Sequence, residues 1–267
     1  MSALRLETMH CTIGAEGVGQ LQLNRPEALN AQTPQMWLDL NEMLRRLAGE
    51  DLRCLIVSGE GGSFSAGFDA NAMSSLAGPL DTPEAREQRR AAGLEWTEGF
   101  ARLSNAPFAT IAAVRGHALG AGFELAVACD LRVTTKTARF AAAGINYGLI
   151  PDTGTAYWLP RLVGLGKARE LILTGAVIDG SEAGRIGLAE YVVDDDDLES
   201  AATAIALQIA AHSATGIRAA KRVLVAGAEL SFEQARQAAQ REQVECYASS
   251  EFASAAKQFG DRMTAGR

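Results

Sequence analysis

Phe108-Ala109-Thr110-Ile111-Ala112-Ala113-Val114-Arg115-Gly116-His117-Ala118-Leu119-Gly120-Ala121-Gly122-Phe123-Glu124-Leu125-Ala126 is the stretch that decides the fold class. Phe108 to Val114 is a nearly continuous apolar run, the pattern of a strand covered on both faces. Glycines then break the chain, and Ala121 to Ala128 resumes as a helix. A buried strand that passes through a glycine turn into a helix belongs to an α/β architecture. Orphan N–H groups at the start of such a helix attract negative charge, including charge that exists only in a transition state. Gly116, Gly120 and Gly122 do not have the spacing of a GxGxxG dinucleotide fingerprint.

Upstream, Val18-Gly19-Gln20-Leu21-Gln22-Leu23 alternates at period two and reads as a strand ended by Asn24-Arg25-Pro26. Thr33-Pro34 caps a helix with an apolar face running to Gly49, and Cys54-Leu55-Ile56-Val57 is a buried strand. Gly59 to Asp69 is a loop, followed by a polar, weakly patterned stretch to Asp81. Thr82-Pro83-Glu84 then caps a long helix towards Asn105.

Downstream, Leu131 to Thr134 is a short strand, and a loop with Gly148, Pro151 and Gly154 leads into a helix carrying Trp158 and Leu159. Ser181 and Ser231 open further helices, with Glu199 to Ala211 and Ile217 to Ala226 between them and a last helix from near Ser250. The expected organisation is an α/β core over 1–200 and a helical region over 201–267.

The composition is that of an ordinary globular protein, with 48% hydrophobic and 21% charged residues. A net charge of −7 argues against a nucleic-acid partner, which needs excess Lys and Arg, so an anionic ligand must find local donors. Cys11, Cys54, Cys129 and Cys246 are scattered and show no metal-ligand or disulfide pattern, which points to reduced, cytoplasmic thiols. No export leader and no membrane span is expected. His10, His117 and His212 lie at no ligand spacing, so no metal is expected. Asp194 to Asp197 reads as a solvated cap before a helix. Ser63-Phe64-Ser65-Ala66-Gly67 lacks the first glycine of a nucleophile elbow.

Gly61-Gly62-Ser63-Phe64-Ser65-Ala66-Gly67-Phe68-Asp69 follows a strand, where ligands bind in α/β sheets, and its small residues let a ligand approach the backbone. This stretch and Gly120-Ala121-Gly122-Phe123-Glu124 resemble the motifs of the crotonases, which act on acyl-CoA thioesters. The resemblance covers almost the whole chain. It includes Leu23-Asn24-Arg25-Pro26-Glu27-Ala28-Leu29-Asn30-Ala31, Gly148-Leu149-Ile150-Pro151-Asp152-Thr153-Gly154, Leu159-Pro160-Arg161-Leu162-Val163-Gly164 and Ala183 to Ala189.

The resemblance implies a crotonase spiral of repeated β-β-α units with C-terminal helices for a homotrimer or dimer of trimers. It implies an acyl-CoA substrate, coenzyme A being part of that substrate, and no metal or redox cofactor. The backbone N–H groups of Phe68 and Ala121 become the oxyanion hole for the thioester carbonyl. Both are mild departures, since the family often has a smaller residue at the first position and Gly at the second. The CoA side maps to Arg25, Ala28, Ala66, Gly67, Asp69, Ala70 and Gly120, with Arg25 in reach of a phosphate. The helix from Phe252 to Arg262 resembles one that covers a neighbouring subunit's site, with Phe259 and Arg262 its informative positions.

Family hydratases use two glutamates. Glu124 matches the first, but the second position falls at Gly144, which has no side chain. Asp152 stands where double-bond isomerases of the superfamily carry an aspartate, with Tyr147, Leu149, Ile150 and Trp158 expected to supply apolar surroundings. The residues alone also allow Glu124 and Asp152 to be helix-end acids of a non-catalytic acyl-CoA-binding relative. The expected chemistry is stabilisation of a thioester enolate with a proton moved to shift a double bond, hydration through Glu124 remaining open.

Overall fold

The computed structural model describes residues 2–76 and 78–265, with the side chains of Ser2, Ser75 and residues 260–265 outside the description. Strands β1 (Ser2–Arg5), β2 (Met9–Ile13) and β3 (Val18–Leu23) form an antiparallel meander. Helix α1 (Pro34–Leu47) follows, and Thr33 Oγ1 accepts from Met36 N at its start as the Thr-Pro pair predicts. Strand β4 (Cys54–Gly59) then pairs parallel to β3. Helix α2 (Ala70–Leu76) occupies part of the stretch that carries no sequence pattern, and α3 (Pro83–Ser104) is capped by Thr82.

Strand β5 (Ala109–Val114) passes through Gly116 into β6 (His117–Leu119) and α4 (Ala121–Ala128). Strand β7 (Leu131–Thr135) runs likewise into β8 (Arg139–Ala141), a 3-10 turn over Ala143–Tyr147 and α5 (Thr155–Thr174). The rest is β9 (Ile178–Asp179), α6 (Gly180–Arg185), β10 (Tyr191–Val193), α7 (Leu198–Ala210), α8 (Ala214–Gly227), α9 (Phe232–Ala248) and α10 (Ser250–Ala265).

The strands form a large sheet in the order β1-β2-β3-β4-β5-β7-β10, parallel from β3 onward, and a small one in the order β6-β8-β9. Each unit places one strand in the large sheet and a short second segment in the other layer, then a helix. β5-β6-α4 and β7-β8-α5 are complete units. In the two preceding turns the second strand shrinks to single bridges, Gln32 with Phe68 and Ser65 with Ala118. This is the crotonase spiral of β-β-α units that the resemblance implies.

Two readings of helix starts change. Asp179, not Ser181, caps α6 by accepting from Glu182 N. Asp195–Asp197 form a 3-10 turn with no side-chain cap; Asp194 pairs with Lys136 and Asp195 accepts from Thr137.

Strand burial alternates between two cores. Leu55, Val57, Ala112 and Val114 face one cluster, whereas Cys54, Ile56, Ile111 and Val133 face another. The second is closed by α7, whose Leu198, Ala202, Ala206 and Ala210 lie at four-residue intervals on one face. The expected boundary between residues 200 and 201 therefore falls inside a helix that completes the core. Leucine at Ala206, which is fully buried, should cost about 1–3 kcal/mol through overpacking. Urea denaturation with an unchanged m-value would show that cost; an unaffected midpoint would place α7 outside the cooperative core.

Candidate active site

The two loops with small residues meet backbone to backbone. Phe64 N donates to Arg115 O (2.9 Å), Ser65 N to His117 O (2.7 Å) and Leu119 N back to Ser65 O (3.1 Å). Such approach leaves no room for side chains. A Cβ on Gly122 would stand 2.4 Å from Ser65 O, and one on Gly67, whose φ is +98°, 2.5 Å from Leu119 O. Ser63 Oγ accepts from His117 N (3.0 Å) and meets His117 Nδ1 at 2.9 Å, so His117 serves the turn.

Further bonds fix the loop that carries Phe68. Gln32 N donates to Gly67 O (2.6 Å) and Asp69 N to Gln32 O (2.8 Å), which clamps Phe68 from both sides. Ser65 Oγ donates to Asn30 O and accepts from Gln32 Nε2 and Gly67 N. Asn30, fully buried, donates from Nδ2 to Glu60 O and Ser63 O and accepts at Oδ1 from Arg25 N. Asn30, Gln32 and Ser65 are site-building residues that the sequence reading did not single out. Their signal is a polar side chain within a motif, for Asn30 and Ser65, or directly after one, for Gln32.

With the loops so held, the N–H groups of Phe68 and Ala121 have no acceptor among the described residues. Ala121 N is the first amide of α4, and it lies 3.6 Å from where a Cβ of Gly67 would be. Gly120 caps the helix at φ +49°. Two neighbouring amides without partners among the described residues are free to receive an oxygen that carries negative charge.

Glu124, one turn further along α4, is 8% exposed. Its Oε2 accepts from Thr153 Oγ1 (2.6 Å) and Thr153 N (3.2 Å). Burial pushes its carboxyl up to about 7; the Thr153 bonds oppose this and the charge of Asp152 adds to it. Thr153 is another residue the sequence reading missed, although it lies within the motif quoted for Asp152.

Asp152 is exposed at the rim, because Tyr147, Leu149 and Ile150 are themselves exposed rather than packed around it as expected; Trp158 is half-buried. Water reaches its carboxyl while protein walls still surround much of it, and that partial burial raises its pKa above the ordinary value. Asp152 does not cap α5, whose N-cap is Gly154. Gly144 sits in the 3-10 turn after β8 with no atom to offer as an acid or base.

The predicted CoA-side residues come together around the first motif. Arg25 donates to Asp69 Oδ2 from both NH groups (3.1 Å) and to Ala31 O (2.6 Å), so it is held by the protein. Partial burial would raise the Asp69 carboxyl, yet bonds from Ala72 N, Arg25 and Asn71 N hold it below the usual carboxylate range. Ala66 N donates to Leu29 O beside half-buried Ala28, and Ala70 is exposed at the start of α2. Phe259 is exposed on α10, and the side chain of Arg262 lies outside the described residues. Among the described residues no group of His, Cys, Asp and Glu is arranged to hold a metal, and no helix is long and apolar enough to cross a membrane. Surface hollows of about 450 and 260 Å³ surround Asn105–Pro107, before β5 begins, and so lie at the opposite end of that strand from the amide pair.

A family model described as enoyl-CoA hydratase/isomerase matches residues 14–265. The chain belongs to that family, within the crotonase superfamily. It is 37% identical over 212 residues to a Mycobacterium leprae protein named "Probable enoyl-CoA hydratase echA8", covering 79% of each. Among solved structures, a "putative enoyl-CoA hydratase" from Thermobifida fusca YX in complex with CoA superposes with a TM-score of 0.82 at 35% identity, over 90% of this chain and 93% of that one. The enoyl-CoA hydratase from Bacillus anthracis gives 0.88 at 28% identity, over 96% and 97%.

Within this enoyl-CoA hydratase/isomerase family member, Gly122→Ala tests the close approach of the two loops. The methyl group must push Ser65 O away and carry the Phe68 amide with it. Displacing a donor by about 1 Å costs roughly 10² in rate, so kcat on a thioester substrate should fall by that order while the fold survives by circular dichroism. Unchanged kcat would detach loop spacing from catalysis.

Proposed function

We propose that the chain is an acyl-CoA enzyme that stabilises a thioester enolate between the amides of Phe68 and Ala121 and shifts a double bond by moving one proton with Glu124. The observation that carries this is the burial of Glu124, which sets its pKa near neutrality one turn from the amide that receives the charge. A Thermobifida fusca relative is described in complex with acetoacetyl-CoA, which supports an acyl-CoA ligand here. The glutamate carboxylate takes a proton from the carbon beside the thioester of a 3-enoyl substrate. The electron pair moves into the carbonyl oxygen, where the two amides receive it. Collapse of the dienolate then takes the same proton at the far carbon, giving the 2-enoyl product and restoring the carboxylate.

A group that must accept and return a proton works best with a pKa near the working pH. Burial favours Glu124 over Asp152 for this role, although the sequence reading centred isomerisation on Asp152. We assign Asp152 to the rim, where its charge raises Glu124 and its carboxyl can serve as a second proton donor. Hydration is the second reading, supported by the hydratase names of the relatives. Gly144 weighs against it, because the water would have one buried carboxylate where family hydratases bring two. Self-association as a homotrimer or dimer of trimers belongs to the same proposal; Leu224, Phe232, Val244 and Tyr247 stand exposed on α8 and α9 of a single chain.

Incubation with 2-enoyl-, 3-enoyl- and dienoyl-CoA panels in 18O-labelled water separates the readings. Isomer without label supports the shift, and labelled hydroxyacyl product supports hydration. Glu124→Gln should lower turnover by about 10²–10⁴ and Asp152→Asn by less. Undiminished turnover in both would leave a binding protein without the proposed acid and base.

Thr153→Val keeps the side-chain shape and removes one bond to the Glu124 carboxylate. A bond to the charged form lowers a pKa, so its loss should raise that of Glu124 above about 7. Because the carboxylate is the base, kcat/KM should rise with pH through that value in the parent and at higher pH in the variant. A limb that does not move would remove Thr153 from control of the base.

A further inference from the structure

Phe68 contributes more than its amide. Its ring stacks on Trp37 with centroids 4.9 Å apart and planes 18° from parallel. Trp37 also meets Trp96 of α3 at 6.5 Å, tilted by 47°, and Phe100 edge-on at 6.1 Å. Phe100 is fully buried, whereas Phe68, Trp37 and Trp96 are only half-buried, so part of the cluster is covered by core and part stays open.

The cluster is fixed in place. Trp37 Nε1 donates to Gln32 Oε1 (2.6 Å), and Gln32 is the residue whose backbone clamps Phe68. Gly99 lets α3 approach α1 closely, since a Cβ there would stand 3.1 Å from Asn41 N and Leu40 Cγ. Arg102 Nε adds a bond to Asn41 Oδ1 (2.8 Å). Next to Trp96 there is room, because Gly93, three residues earlier and so on the same side of α3, would meet nothing within 4 Å if it carried a Cβ.

We propose that Phe68, Trp37 and Trp96 form the wall of the acyl site and select thioesters whose acyl group ends in a flat aromatic ring. This rests on the acyl-CoA reading above, because the ring of Phe68 is attached to the residue whose amide holds the thioester oxygen. In this proposal the acyl group lies along the half-open aromatic surface that begins at that residue. A saturated chain gains only the burial of its area there, whereas a flat ring adds offset or edge-to-face contacts worth about 0.5–1.5 kcal/mol, which is about two- to tenfold in affinity.

The test compares 3-phenylpropanoyl-CoA with 3-cyclohexylpropanoyl-CoA. They match in carbon count and near-match in shape but differ in flatness and π-character. Calorimetry on the full chain should give a lower Kd for the phenyl compound by about two- to tenfold, and Trp96→Leu should bring the two Kd values together. Equal or tighter binding of the cyclohexyl compound by the parent protein would overturn the proposal, as would a preference that survives Trp96→Leu. Phe100→Leu, which alters the buried edge contact, serves as the packing control and should leave most of the preference. If no enoyl-CoA is turned over while the phenyl preference holds, the catalytic reading fails and the wall stands. If turnover is normal and the preference is absent, the reverse is true.

Discussion

The contact on which the site depends is the pairing of Ser65 with Ala118, where two successive turns of the spiral touch without side chains between them. Parallel strands of the large sheet deliver the chain to this point, but the spacing there is that of a ladder only one residue long. Gly67 and Gly122 make it sterically possible, and the Ser65 hydroxyl, shared among Asn30 O, Gln32 Nε2 and Gly67 N, makes it specific. Because the spiral repeats, the chain near the start of successive helices returns to the same region. Phe68 precedes α2 and Ala121 opens α4, so two amides far apart in sequence are brought close together.

The electrostatics follow from the same geometry. An overall charge of −7 is a poor setting for an anionic intermediate, and amide dipoles meet developing charge without importing a cation. The start of α4 contributes the positive end of its dipole to the same region. Glu124 sits one turn inside, where the dipole favours its charged form but the loss of water disfavours it more. Thr153 offsets part of that loss. The balance near 7 thus comes from opposing effects on one carboxyl, whereas Arg25, the cation nearest the CoA-side motif, is already neutralised by Asp69.

Much of this was legible in the sequence because the governing patterns are local. Phe108–Val114 announced a doubly covered strand, Thr33, Thr82 and Ser231 announced helix starts, and Ala121–Ala128 was read with its bounds correct. The two amides were legible from motif resemblance. The second sheet was not, because β6, β8 and β9 are two or three residues long and too short to show a period. Helix α2 is set by the Asp69 carboxylate accepting from Asn71 N and Ala72 N rather than by an apolar face. The surroundings of Asp152 differ from expectation for another reason, although its carboxyl is raised as expected. Apolar neighbours in sequence implied burial, but Tyr147, Leu149 and Ile150 are exposed, and the residue that bonds the buried Glu124 is half-buried Thr153, read only as part of a loop.

Gln32 joins these threads, since its backbone clamps Phe68 and its side chain reaches both the Ser65 hydroxyl and the Trp37 indole. The position of the Phe68 amide and that of the aromatic surface thus both depend on one buried residue, the first through its backbone and the second through its side chain. A smaller residue at position 68 would keep the N–H but lose the stacking that orients the loop from outside. Held by Gln32 on the backbone and by Trp37 on the ring, the Phe68 amide has little freedom to turn. An amide that cannot turn need not reorganise when charge appears on an oxygen bound to it, and under the proposed chemistry that absence of reorganisation is what it would contribute.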